Sequence, residues 1–149
     1  GCFVTHVDAS KPSIGWAKEN QVLNKIPADS IRWILDDAIK FVTREIKRGG
    51  EYDGIIMDPP AFGHSPTGKT WKFNQDLPYL LELCNKILSP TAKFVLINGY
   101  ATNSSAIALN NLAEDILQNR HGQIECGELC LTQQDKRLIS TGIFARWSS

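Results

Sequence analysis

At 149 residues the chain is long enough for one domain with a sizeable buried core. Hydrophobic residues make up 42% and charged residues 21%, which excludes a disordered or fibrous chain and fits an ordinary globular one. Lys+Arg and Asp+Glu are both 16, so the formal net charge is zero; long-range attraction to nucleic acid is weak, and any such affinity needs a local patch or a further module.

The four cysteines, Cys2, Cys84, Cys126 and Cys130, form no C-x-x-C pair and have no histidine ligands nearby, so no metal site is expected. Cys126 and Cys130 fall in an apolar stretch and are expected to be buried thiols of a protein working in a reducing cytoplasm. No apolar run approaches the ~20 residues of a membrane span, and no signal peptide is visible. The chain does not start with Met and begins directly in strand-like sequence.

In chain order, residues 3–8 (FVTHVD) predict a short strand stopping at an acid. Ser10 then offers an N-cap with Pro12 in the first turn, and helical spacing continues through Ala17, Leu23 and Ile26. Residues 31–35 predict a second strand, followed by Asp36-Asp37. The next helix puts Ala38, Phe41, Val42 and Ile46 on one face and ends at Gly49-Gly50. Residues 52–57 predict a third strand, again followed by an acid, Asp58. A helix starting near Asn74 or Asp76 carries Leu77, Leu80, Leu81, Cys84, Ile87 and Leu88 in phase, with Pro78 in its first turn and Ser89-Pro90 as its stop. A fourth strand over 94–97, a helix through Leu109, Leu112 and Ile116, and two strands at 124–131 and 138–147 complete the chain. This alternation predicts an α/β, Rossmann-like domain with a mostly parallel sheet and an antiparallel last strand.

In such sheets ligands bind beyond the carboxyl ends of the strands, where Asp8, Asp37 and Asp58 all fall. A carboxylate there can accept both hydroxyls of a ribose, and one after the neighbouring strand can accept from the exocyclic amine of adenine. The competing reading is that each acid caps the helix that follows it. Asp58-Pro59-Pro60 is the sharpest element. Two prolines fix the backbone and remove two donors, leaving rigid acceptors suited to an amine or base edge held in line with an electrophile. Phe62 can then stack on a planar ring.

VDAS (residues 7–10), LDDA (35–38) and IIMDPPAF (55–62), in this order and spacing, resemble class I S-adenosylmethionine-dependent methyltransferases. Within these the chain is most similar to the bacterial large-subunit ribosomal RNA methyltransferase group. The resemblance covers essentially the whole chain. It implies that Asp8, with Ala9, takes the cofactor's ribose hydroxyls and Asp37 the adenine amine. The Ala38 backbone would meet the adenine ring edge, while Asp58, Pro59, Pro60 and Phe62 face the methyl acceptor. The family's first strand and glycine-rich loop would lie upstream of Gly1, so residues 1–149 read as a single, partial catalytic domain in which the sheet has a gap, closes by direct pairing of the strands carrying Asp8 and Asp58, or is filled by another chain. Cytosine-carbon-5 members carry a Cys just after the strand at 94–97; residues 98–103 read NGYATN, which favours transfer to a nitrogen.

Residues 63–70 also match G-x-x-x-x-G-K-[ST], the phosphate loop of nucleotide hydrolases. That loop should join a strand directly to a helix, yet Asp58 to Phe62 intervene, and Pro66 lacks an N–H for phosphate. A better use of Lys69, Trp71 and Lys72 is a basic, aromatic substrate loop that meets RNA phosphate and stacks on a base; Trp71 packing back on the domain is the even alternative. The enzyme reading competes with a non-catalytic domain that keeps the fold and only binds.

Overall fold

The computed structural model describes residues 2–64 and 70–149, with His64 described by its backbone alone. The chain divides into two compact units, Gly1–Arg44 and Glu45–Ser149.

In the first unit, β1 (Val4–Asp8) pairs in parallel with β2 (Ile31–Leu35), from Val4 opposite Ile31 to Asp8 opposite Leu35. Between them runs α1 (Lys11–Leu23), capped as expected by Ser10, whose side chain accepts the Ser13 N–H at 3.3 Å. The helix is one turn shorter than its apolar spacing suggests. Lys25 takes a left-handed φ of 54°, and Ile26 and Lys25 return their N–H groups to the Gln21 and Val22 carbonyls, the reciprocal pair of a Schellman end. Leu23 and Ile26 are therefore exposed, and Ile14 and Gln21 are the buried positions. Gln21 is satisfied on both sides: it accepts from the Trp33 indole at 2.8 Å and donates to the Pro27 carbonyl at 2.7 Å. The division between the units falls inside α2 (Ala38–Arg48), which ends where Gly49 takes φ 67° and Gly50 donates to the Glu45 carbonyl.

The second unit is built on a four-stranded sheet of order β3-β6-β8-β7. Strand β3 (Gly54–Met57) is shorter than expected, with Tyr52 reduced to an isolated bridge to Leu88. A hairpin not foreseen from the sequence follows: β4 (Phe62–His64) pairs antiparallel with β5 (Thr70–Lys72). Helix α3 (Phe73–Asn85) starts directly after it, a residue or more before the expected start, so Pro78 lies in the helix interior rather than its first turn. Strand β6 (Phe94–Gly99) runs parallel to β3, and α4 (Ala106–Leu117) is capped by Ser105 on the Ala108 N–H at 3.1 Å. Strands β7 (Gln123–Thr132) and β8 (Leu138–Ser148) form the expected antiparallel pair, with β8 against β6.

Leu77, Leu81, Val95, Ile97, Leu109 and Leu117 are the largest fully buried side chains, so the core of this unit lies between α3, α4 and one sheet face. Cys84 belongs to it, and burial pushes its thiol up to about 12. Cys126 and Cys130 do not: β7 is the edge strand, and both are exposed. Among the described residues no helix is long and apolar enough to cross a membrane.

Candidate active site

The first unit brings Asp8 and Asp37 to the carboxyl ends of neighbouring parallel strands. The ladder continues one step beyond β2, where the Asp36 N–H donates to the Asp8 carbonyl at 3.1 Å. The half-buried Asp8 carboxylate accepts the Ser10 N–H at 2.7 Å, turning the chain through half-buried Ala9 into α1. Asp37 accepts the Lys40 N–H at 3.0 Å, so it caps α2. The capping reading of Asp37 thus holds, and it leaves room for a ligand. A carboxylate has about four acceptor positions, and one backbone donor occupies one of them. Ala38 is exposed in the first turn of α2, where helix geometry supplies no carbonyl for its N–H. This donor and acceptor set fits the sugar hydroxyls and the amine and ring nitrogen of an adenosine.

Asp36 has a different task. Its carboxylate accepts from the Asp37 N–H at 2.8 Å and pairs with Arg44 one to two turns along α2. The Arg44 hydrogen bond, then the Asp37 backbone donor, hold its carboxyl below the usual range against some desolvation. A lowered folded-state pKa adds stability above the unfolded value, and that increment disappears as pH falls through the folded value. Asp36→Asn should therefore lower the melting temperature at neutral pH, with the gap to wild type closing below about pH 3.8. Melting curves from pH 2 to 7 check this.

The second unit holds the Asp58 to Phe62 turn. It leaves β3 beside the end of β6, since Met57 lies opposite Ile97. Asp58 and Pro60 are exposed and Pro59 is half-buried. The turn is pinned from the hairpin. The Trp71 indole N–H donates to the Pro60 carbonyl at 2.7 Å, and the Phe73 N–H donates to the Ala61 carbonyl at 3.1 Å. Trp71 is half-buried and so packs back on the turn, the alternative weighed against base stacking. The expected row of acceptors is correspondingly shortened by the two carbonyls that β5 and α3 use.

Phe62 is 55% exposed on β4, and Lys72 is exposed opposite it. The Lys72 backbone N–H donates to Asp76 at 2.7 Å, which starts α3. Phe73 packs beneath Gly99: a Cβ built there would lie 2.9 Å from the Phe73 ring. Lys69 lies outside the described residues. The phosphate-loop match does not survive, because Gly63 and Thr70 sit on two strands of one hairpin and α3 begins three residues after Thr70. No strand-to-helix phosphate cradle is formed by its described members.

The β4–β5 hairpin was missed in the sequence, whereas Trp71 packing back on the domain was one of its two even readings. The β-branched and aromatic pair Thr70-Trp71, which faces His64 and Gly63, was the available signal.

This architecture, with acids at successive strand ends and an antiparallel final pair, is the Rossmann-like fold of class I S-adenosylmethionine-dependent methyltransferases. The chain superposes on the crystal structure of an S-adenosylmethionine-dependent methyltransferase from Agrobacterium tumefaciens with a TM-score of 0.93 and 42% identity, over 99% of this chain and 49% of that one. It is 34% identical over 104 residues to the ribosomal RNA large subunit methyltransferase K/L of Shewanella sp. strain MR-4, covering 64% of this chain and 14% of that protein. To the protein of the same name from Shewanella frigidimarina it is 31% identical over 144 residues, 90% of this chain and 18% of the relative. The chain thus spans about half of the solved structure and less than a fifth of these relatives. No protein-family model matches it. The likeness to the large-subunit ribosomal RNA methyltransferases lies in the sequence, and the likeness in fold is to an S-adenosylmethionine-dependent methyltransferase.

Proposed function

We propose that these 149 residues are part of the catalytic domain of an S-adenosylmethionine-dependent methyltransferase that modifies a base of ribosomal RNA in the cytoplasm. The observation that carries the reading is the likeness to the Agrobacterium methyltransferase along nearly the whole chain. The names of the Shewanella relatives favour ribosomal RNA as the substrate.

In this reading Asp8 accepts the ribose hydroxyls, with Ala9 beside it, and Asp37 accepts the adenine amine while still capping α2. The Ala38 N–H meets the adenine ring edge. S-adenosylmethionine supplies an electrophilic sulfonium methyl when bound. The chain's part is to hold the acceptor in line with that methyl and to take up charge or a proton as the bond forms. Asp58 and the Pro59-Pro60 backbone serve there, with Trp71 holding the Pro60 carbonyl in place. Phe62 stacks on the acceptor ring, and Lys69 and Lys72 meet RNA phosphate.

The reading is tested with the full-length protein, labelled S-adenosylmethionine and ribosomal RNA from cells lacking it. Label should enter large-subunit RNA at one nucleoside, and absence of transfer to any ribosomal RNA would remove the assignment. Asp58→Ala should depress the single-turnover rate while leaving S-adenosylmethionine affinity within about twofold. An equal loss of cofactor affinity would move Asp58 to the cofactor side.

A further inference from the structure

Near the Asp58 to Phe62 turn, the amino-terminal halves of α3 and α4 line a groove of about 540 Å³. That is within the usual range for small-ligand sites. Its floor is apolar, with Phe73, Leu77 and Leu109, and its walls carry Asn74, Asn103 and Ser104. None of its lining side chains is ionisable.

One feature gives the groove a chemical preference. Pro78 lies inside α3 and has no N–H, so the carbonyl of Asn74, four residues earlier, lacks its helical donor. The Asn74 side chain only just reaches across, donating to the Asn103 carbonyl at 3.5 Å. The walls therefore present amide groups and a hydroxyl above an apolar floor, with an acceptor that α3 itself cannot satisfy. A phosphate would find no cation here, and an aliphatic group would leave these polar atoms unpaired. A flat, neutral ring with an amine-bearing edge matches both surfaces.

The groove is joined to the turn through Phe73. Its N–H is bonded to Ala61, its ring lies under Gly99, and it lines the groove. We propose that this groove binds an unpaired nucleobase next to the methyl acceptor in the RNA strand, so that Asn74, Asn103 and Ser104 select sequence context. This rests on the reading of the protein as an RNA methyltransferase, and it adds a second base site to it.

The test has two arms, both on the full-length protein. In the first, the four neutral ribonucleosides and inorganic phosphate are titrated into ¹⁵N-labelled protein. At least one nucleoside should shift the amides of Asn74, Ser104 and Ala108, phosphate should not, and the shifts should vanish in Ala108→Trp, which fills the groove. Asn103→Trp, at an exposed loop position, serves where Ala108→Trp does not fold. Absence of nucleoside shifts, shifts by phosphate instead, or shifts unchanged in the filled variant would overturn the proposal. In the second, the filled variant should raise the KM for ribosomal RNA tenfold or more with S-adenosylmethionine affinity unchanged; an unchanged KM also overturns it. If wild type transfers no methyl to RNA yet the first arm succeeds, the functional assignment fails and the nucleobase groove stands.

Discussion

Asp8→Ala in the full-length protein should weaken S-adenosylmethionine binding by about tenfold or more, measured by calorimetry. A carboxylate accepting sugar hydroxyls makes charge-assisted hydrogen bonds worth roughly 1.5–3 kcal/mol, and each 1.4 kcal/mol is tenfold. Asp8 also accepts the Ser10 N–H, so a variant can lose the α1 entry turn along with the ligand contact. Asp8→Asn keeps an acceptor for that turn and removes the charge, which separates the two effects. Asp37 needs a different control because it caps α2 through the Lys40 N–H. Replacing a cap by Ala costs about 1 kcal/mol of stability, whereas Ser caps nearly as well. Asp37→Ser should therefore melt near wild type and still bind the cofactor about tenfold more weakly. Unchanged affinity in both Asp8→Ala and Asp37→Ser would overturn the cofactor assignment.

Arg120→Ala should be the most damaging single substitution outside the apolar core. The guanidinium, just beyond α4, donates to the Asn85 side chain at 2.7 Å and to the carbonyls of Asn85, Leu88 and Ser89 at 2.9, 3.1 and 3.0 Å. Those carbonyls lie at and after the end of α3; the Ser89 carbonyl also accepts the Ala92 N–H at 3.2 Å, so the Asn85 and Leu88 carbonyls are the ones that depend on the guanidinium. Leu88 and Ser89 are buried, so water cannot readily replace the guanidinium. Each abandoned buried acceptor costs about 1–3 kcal/mol, and a total near 3 kcal/mol lowers the melting temperature by about 6–12 °C in a chain of this size. Arg120→Lys should recover little of it, because an ammonium cannot reach four acceptors in the guanidinium's planar fork. A loss below 2 °C in thermal melts would show that the network carries little of the unit's stability.

The elements most legible in the sequence were those whose cause is local. Ser10 and Pro12 start α1, Gly49 in the left-handed region ends α2, and Leu77 to Leu88 repeat at the spacing of a helix buried on one side. The strand–acid pattern at Asp8, Asp36-Asp37 and Asp58 was visible for the same reason, since each acid directly follows a short β-branched or aliphatic run. The motifs VDAS, LDDA and IIMDPPAF lie within single strand–turn segments, so the resemblance they carry needed no tertiary knowledge.

What only the tertiary structure decided depends on partners distant in sequence. Pro78 fits a first turn locally, yet the β4–β5 hairpin delivers the chain so that α3 begins at Phe73, and the proline becomes interior. Cys126 and Cys130 sit in an apolar stretch, but β8 inserts between β6 and β7, leaving β7 at the edge and both thiols exposed. Asp36 and Asp37 are indistinguishable as neighbours in a string; Arg44 takes the first and the α2 backbone the second. Trp71 reads equally well as a stacking platform, until the Pro60 carbonyl 11 residues earlier takes its indole N–H. Local sequence sets dihedral preference and hydrophobic period, whereas exposure and the partner of each polar group follow from which strands lie side by side.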